Sequence, residues 1–145
     1  MKYVLLDIDG VLTSAAHTLR CIREHRPPNP SGMDWLDPSC VEALRHIVEA
    51  TGASVVISSS WRELGTERLR EVFRESGVPV VPEDTTPVWI LVKRDALAAW
   101  IAAHPQDGYV VLDDADQRLG RQVRTDPETG LTMQDAEKAI KILLG

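Results

Sequence analysis

Short apolar runs alternate along the chain with longer segments in which apolar residues recur at helical spacing. A continuous apolar run of four or five residues predicts a strand that is buried on both faces of a sheet. Strands are predicted at 4–6, 53–57, 78–81, 109–112 and 122–125. Helices are predicted at about 41–52, 62–75 and 94–103, and after Thr132, which can cap the last one. This alternation predicts an α/β fold with a mainly parallel sheet.

Residues 14–38 depart from this pattern. They contain the proline-rich patch RPPNP, followed by Ser31 and Gly32, and predict an irregular insertion rather than a packed element. So short a segment buries too little surface to fold by itself. We therefore expect one domain over residues 1–145, with a flap-like insertion at about 14–38.

Composition narrows the classes of function. The chain has 145 residues and a formal net charge of −6, which argues against a strong, sequence-independent grip on phosphate backbones. The two cysteines, Cys21 and Cys40, form no C-x-x-C pair, which argues against a disulfide scaffold or a structural zinc site. No apolar segment approaches the roughly 20 residues that span a bilayer, and the start does not resemble a signal peptide. We expect a cytoplasmic protein with no membrane partner.

Polar side chains follow three of the predicted strands at once. Asp7 and Asp9 come directly after the first strand, and the period of two sends both side chains to the same side. Like charges held so close repel each other, so we expect a divalent cation between them. The serines at 58–60 follow the second strand, and Asp113 and Asp114 follow the fourth. The carboxyl ends of parallel strands meet at one edge of a sheet, which predicts a single site.

Three acids around a cation, with hydroxyl groups nearby, suit phosphoryl transfer with magnesium. Asp7 can attack phosphorus to form an aspartyl phosphate, and Asp9 can protonate the leaving oxygen and then activate water. Hydroxyl and cationic side chains would hold the phosphoryl oxygens, helped by N–H groups at a helix start. The candidate phosphate-binding residues are Ser58, Ser59, Lys93 and Arg94.

The order of these motifs resembles the haloacid dehalogenase superfamily of phosphohydrolases over nearly the whole chain. The resemblance rests on DIDGVL after the first strand, a serine that closes the second, a lysine before a helix, and DD after a later strand. It implies a Rossmannoid three-layer sandwich, with Asp7 as nucleophile and Asp9 as general acid and base. It also implies that Mg²⁺ is held by Asp7, by the backbone carbonyl of Asp9, and by an acid of the last motif. Asp113 and Asp114 are both candidates for that acid, with Asp114 favoured as the direct ligand.

A narrower resemblance concerns the stretches VVISSSWR, VLDDAD and VRTDPETGLT. They are similar to the dehalogenase-type domain of Swiss Army Knife RNA repair proteins, a subgroup thought to act on phosphorylated nucleic-acid ends. The two positions where the superfamily inserts cap domains are short here, which implies an open site without a large cap. By analogy, an open site favours macromolecular substrates, so a phosphorylated nucleic-acid end is the expected partner.

Aromatic and basic residues near the motifs are candidate substrate contacts. Trp61 and Arg62 follow the serines, and Trp35 lies in the insertion, where an indole can stack on a base. For both indoles packing is the alternative, and packing is also what we expect of Trp89 and Trp100.

Three alternatives stay open at this point. The same fold can serve a small-metabolite phosphatase or a phosphoprotein phosphatase, or a non-catalytic module that binds phosphate. Retention of Asp9 speaks against the last, because a binder has no need of a general acid. A kinase is disfavoured because the chain has no Gly-rich loop ending in Gly-Lys-Ser/Thr, and no G-x-G-x-x-G for a dinucleotide.

Overall fold

The fold is a parallel sheet with helices on both faces. The computed structural model describes residues 1–28 and 35–145. The strands are β1 (Lys2–Leu6), β2 (Ser54–Ile57), β3 (Pro82–Thr85), β4 (Gly108–Asp113) and β5 (Gln122–Arg124). The helices are α1 (Ala15–Arg23), α2 (Pro38–Thr51), α3 (Thr66–Glu75), α4 (Lys93–Ala103) and α5 (Met133–Leu144). All strand pairs are parallel, in the order β3-β2-β1-β4-β5.

Two hydrophobic clusters lie on opposite faces of the sheet. Val4 and Leu6 of β1 belong to the larger cluster, which includes buried residues of α2, α3 and α5. Leu5 points the other way and joins the smaller cluster with Leu97 and Trp100 of α4. This alternation along one strand makes three layers, and it confirms the predicted Rossmannoid sandwich with a parallel sheet. The described residues include no cap domain.

Helix ends follow the capping signals of the sequence. The Asp37 carboxylate accepts a hydrogen bond from the Ser39 N–H at the start of α2. Thr132 and Asp135 form a reciprocal capping box at the start of α5. Within residues 1–28 and 35–145, no helix combines the length and the apolar character needed to cross a membrane.

The third strand was predicted four residues too early. The apolar run 78–81 packs Val78 and Val80 into the core but pairs with no strand, and β3 lies at Pro82–Thr85. Within the described chain β3 is an edge strand that pairs only with β2, so a polar sequence is tolerated there. The helix predicted at 62–75 begins instead at Thr66, because Ser60–Leu64 form a 3₁₀ turn that ends at Gly65.

The prediction of an irregular insertion at residues 14–38 is wrong for the first third of that segment. Ala15–Arg23 form α1, which Ser14 caps by accepting a hydrogen bond from the His17 N–H at 3.1 Å. The inner face of α1 buries His17 and Cys21, whereas Leu19 is exposed. The pattern missed this helix because its large apolar residues do not point inward. Residues 29–34, which include the end of the proline-rich patch, lie outside the described part of the chain.

Candidate active site

Three aspartates meet at the carboxyl ends of the two central strands. Leu6 pairs with Leu112, so Asp7 and Asp113 emerge side by side from β1 and β4. The Asp7 N–H also donates to the Leu112 carbonyl at 2.9 Å. One carboxylate oxygen from each of Asp7, Asp113 and Asp114 lies within 4.8 Å of the others. The predicted convergence is therefore present for these three acids, whereas Asp9, predicted to lie with Asp7, is not among them.

Lys93 places a cation in this cluster. It is the first residue of α4, and its Nζ lies 3.1 Å from Asp7 Oδ1 and 2.7 Å from Asp113 Oδ2. The Ile8 N–H donates to the same Asp7 oxygen at 2.9 Å. One ammonium group faces three carboxylates, so the cluster keeps an excess of negative charge.

The electrostatics of Asp7 reflect this excess. Only 6% of the residue is exposed. Burial raises the pKa of Asp7 to about 7, although the Lys93 charge lowers this pKa and the nearby Asp113 carboxylate raises it. Asp7 therefore binds a proton below about pH 7, and a divalent cation at this position would displace that proton. Carboxylate oxygens at this spacing are the ligands that Mg²⁺ takes in proteins, so the residues fit a divalent cation.

Asp113 is fixed through both of its oxygens. Its Oδ1 accepts a hydrogen bond from the Ala115 N–H at 2.9 Å, and its Oδ2 accepts one from the Gln117 amide at 3.3 Å besides the Lys93 contact. Arg94 in turn donates to the Gln117 carbonyl at 3.1 Å. Sequence reasoning missed Gln117, because this residue lies in a polar loop and no periodic pattern indicates that the loop folds back over Asp113. Arg94, a candidate phosphate ligand, braces this loop.

Gly10 sets the position of Asp114. Its backbone has a φ of +81°, and a Cβ at this position would stand 2.5 Å from Asp114 Oδ2. Thr13 and Thr125 hold the two peptide groups on either side of the Gly10 Cα: Thr13 Oγ1 accepts from the Gly10 N–H at 3.1 Å, and Thr125 Oγ1 donates to the Gly10 carbonyl at 2.7 Å. A glycine is needed here both for the backbone conformation and for the close approach of the carboxylate. The D-x-D-G motif was the sequence signal for it.

The serines after β2 divide into two roles. Ser58 is fully buried, and its Oγ has no hydrogen-bond partner among residues 1–28 and 35–145. Ser59 Oγ accepts a hydrogen bond from the Trp61 N–H at 3.0 Å and caps the 3₁₀ turn. Thr86, which follows β3, has a buried hydroxyl that is likewise unpartnered within the described chain. Sequence reasoning missed Thr86 because it lies in an ordinary Thr-Pro loop.

The comparison with known families agrees with this geometry. The family model of the HAD domain in Swiss Army Knife RNA repair proteins matches residues 3–136. The chain belongs to this family. No curated protein and no solved structure matches it. Membership in the HAD family supports a phosphatase-type hydrolase.

Two of the residues predicted to contact substrate in this HAD domain are buried. Trp61 is 3% exposed and packs in the larger core cluster. Arg62 is 9% exposed, and its guanidinium group donates to the carbonyls of Ser58 at 3.0 Å and Ile90 at 3.2 Å. Trp61 therefore packs, which was the alternative given for it, and Arg62 braces the loop after β3.

The other three indoles lie in different surroundings. Trp35 donates to the Pro27 carbonyl at 2.9 Å and lines a groove with Pro27 and Leu36 that does not include the aspartates. Its position therefore lends no support to a substrate contact. Packing is confirmed for Trp100, which is buried, but is wrong for Trp89, which is 78% exposed.

Asp9 occupies a different position from the three clustered acids. Its side chain is exposed, and its carboxylate is not a member of the described group of three. Asp9 lines a groove together with Gly10 and Asp114. In this HAD domain the two acids of D-x-D thus have different surroundings, one buried beside Lys93 and one open to a groove.

Proposed function

We propose that the protein is a magnesium-dependent phosphatase that acts through an aspartyl phosphate on phosphorylated nucleic-acid ends or nucleotides. The observation that carries the proposal is the contact of Lys93 with both Asp7 and Asp113, beside Asp114. A buried carboxylate paired with an ammonium group suits a nucleophile that must approach an anionic phosphate. The HAD family assignment supports the same chemistry.

The metal ligands in this proposal are the carboxylates of Asp7 and Asp114 and the backbone carbonyl of Asp9. Asp113 is the weaker candidate for direct ligation, because its two oxygens already accept hydrogen bonds from Ala115 and Gln117. When bound, Mg²⁺ supplies positive charge that lets a carboxylate and a phosphate dianion approach each other.

In the first chemical step, Asp7 Oδ2 attacks phosphorus, because Oδ1 is held by the Ile8 N–H and by Lys93. The bond between phosphorus and the ester oxygen breaks, and Asp9 gives its proton to that leaving oxygen. Ser58 Oγ donates a hydrogen bond to a phosphoryl oxygen, which gives this buried hydroxyl its missing partner.

The second step returns the site to its starting state. Asp9, now a carboxylate, takes a proton from a water molecule whose oxygen attacks the phosphorus of the aspartyl phosphate. The bond to Asp7 breaks and inorganic phosphate leaves. Lys93 stays within reach of Asp7 throughout, so one side chain balances charge in both steps.

The substrate class rests on the family and on the openness of the site. The matched family is the HAD domain of RNA repair proteins. The described residues add no cap domain over the aspartates, so a long strand end has access to them. Both points support a nucleic-acid end or a nucleotide over a small metabolite.

The test is phosphate release from a panel of substrates, with Mg²⁺ and with chelator. The panel holds mononucleotides, oligonucleotides phosphorylated at either end, sugar phosphates and phosphopeptides. We expect Mg²⁺-dependent release from nucleotides or oligonucleotides, and a loss of at least about a thousandfold in Asp7→Asn. Asp95→Asn is the matched control, since Asp95 is an exposed acid in the first turn of α4. Wild-type rates in Asp7→Asn, or a clear preference for sugar phosphates or phosphopeptides, contradict the proposal.

A further inference from the structure

An open groove of about 470 Å³ begins at Asp9 and Asp114 and runs along α1. This volume is in the range of sites that hold a nucleotide-sized group. The wall opposite the acids is formed by α1 residues that recur at helical spacing, so that they share one face of the helix. These residues are Ala15, Thr18, Leu19 and Ile22.

The groove wall exposes apolar side chains to solvent. Leu19 is 47% exposed and Ile22 is 57% exposed, whereas His17 and Cys21 on the inner face of α1 are buried. A surface helix usually turns its large apolar residues toward the core. Apolar residues beside a catalytic acid suit contact with a ligand.

Charge along α1 is of one sign. Its sequence AAHTLRCIR contains two arginines, Arg20 and Arg23, and no acid, in a chain with a net charge of −6. Arg23 lies one turn beyond Leu19. The rise of about 1.5 Å per residue places the Arg23 backbone roughly 12 Å along α1 from Ala15. The lining of the groove starts at the proposed phosphate site and ends at Ile22, one residue before Arg23, and the Glu24 that follows is paired with Arg26.

We propose that this groove binds the nucleic-acid strand behind its terminal phosphate. The nucleoside bonded to the leaving oxygen packs against Leu19 and Ile22, and a following phosphate pairs with Arg23. This inference rests on the proposed function, in which Asp9 protonates the leaving oxygen. Because Asp9 lines the groove, the group that carries that oxygen extends into it. Arg20 and Arg23 lie on α1 beside the lining residues, and this helix contains no acid, so it complements a polyanion better than a peptide.

The test compares two groove variants on three substrates of increasing length. Leu19→Ser and Arg23→Gln alter the groove, and both residues are exposed, so the fold tolerates the changes. Leu144→Ser and Arg74→Gln are matched controls, an exposed leucine in α5 and an arginine in the last turn of α3. The substrates are acetyl phosphate, a nucleoside monophosphate and an oligonucleotide with the terminal phosphate that the wild type prefers.

Each variant has its own expected signature. Leu19→Ser lowers kcat/KM about five- to tenfold for the nucleotide and the oligonucleotide, and leaves acetyl phosphate unchanged. Arg23→Gln lowers kcat/KM for the oligonucleotide and leaves kcat/KM for the other two substrates unchanged. Equal effects on all three substrates, effects no larger than those of the controls, or a wild-type preference for phosphopeptides overturn the inference.

A measurement of oligonucleotide binding tests the groove independently of the proposed phosphatase activity. Anisotropy of a labelled, phosphorylated oligonucleotide is measured with Asp7→Asn alone and combined with each groove variant. Arg23→Gln should weaken binding and reduce the slope of log Kd against log salt by about 0.7. Groove-dependent binding with no phosphate release from the wild type supports the groove and refutes the phosphatase. Phosphate release with binding that Leu19→Ser and Arg23→Gln do not change refutes the groove.

Discussion

Gly10→Ala tests how the Asp114 carboxylate is positioned. The added methyl carbon would lie 2.5 Å from Asp114 Oδ2, 2.8 Å from its Cγ and 3.1 Å from its Cβ. Rotation of the carboxylate about its Cβ–Cγ bond relieves only the first of these contacts, because it leaves Cγ at 2.8 Å and Cβ at 3.1 Å. The Asp114 side chain must therefore move away from Gly10, which displaces its oxygens relative to those of Asp7 and Asp113.

Gly52→Ala separates this effect from backbone strain. Gly52 has a φ of +70°, close to the +81° of Gly10, but nothing lies within 4 Å of its added Cβ. A positive φ costs an alanine about 1–2 kcal/mol, so both variants should lose roughly that much in unfolding free energy in chelator. Any larger loss in Gly10→Ala comes from the contact with Asp114.

The decisive readout is Mg²⁺ affinity, measured by calorimetry and by the Mg²⁺-dependent rise in Tm. Gly10→Ala should bind Mg²⁺ about ten- to a hundredfold more weakly than the wild type, because a displaced ligand costs about that much. Gly52→Ala should bind Mg²⁺ with wild-type affinity. Equal affinities for the two variants would refute the argument that Gly10 makes room for a metal-binding Asp114.

Three further predictions concern the same cluster. The first is measured in chelator: between about pH 4 and 7 the Asp7 carboxyl should lower the free energy of unfolding by roughly 1 kcal/mol for each unit that the pH rises. The reason is that the folded protein keeps the Asp7 proton up to about pH 7, whereas the unfolded chain releases it near pH 3.8. Denaturant titrations at several pH values should show a weaker pH dependence of the unfolding free energy in Asp7→Asn than in the wild type. The same pH dependence in both proteins contradicts this prediction. Gln117→Leu should lower kcat/KM about tenfold with a smaller effect on Tm, because Asp113 loses one of its donors; a wild-type kcat/KM argues against the positioning role. Lys93→Met should lower kcat/KM by at least about a hundredfold and Lys93→Arg by less, and similar losses in both variants would indicate that the charge is not what matters.

The convergence of the acids was predictable because it follows from strand geometry. A parallel sheet brings strand ends together, so Asp7 and Asp113 had to be neighbours once β1 and β4 paired. A basic residue at the position of Lys93 was also predictable, because a helix that starts beside this edge of the sheet presents its first residues to the site. The family resemblance supplied the roles of these residues, which no spacing alone assigns.

Other features depend on how particular loops fold, and the sequence carries no periodic signal for them. The contact of Gln117 with Asp113 requires a polar loop to turn back on itself. Helix α1 was missed because it buries His17 and Cys21 rather than a leucine stripe. The burial of Trp61 follows from the 3₁₀ turn after Ser59, which directs the indole inward.

The central claim is that Asp7 is the nucleophile, and trapping of the phosphorylated enzyme tests it most directly. The Asp9→Asn variant lacks both the acid of the first step and the base of the second, so it is mixed with Mg²⁺ and an activated aryl phosphate, whose leaving group departs without a proton. The mixture is then treated with borohydride, which reduces an acyl phosphate to an alcohol. Peptide mass spectrometry should find homoserine at position 7, and Asp7 should stay unmodified when substrate is omitted. Turnover by the wild type with an unmodified Asp7 in the trapped variant, or reduction at another acid, would contradict the account.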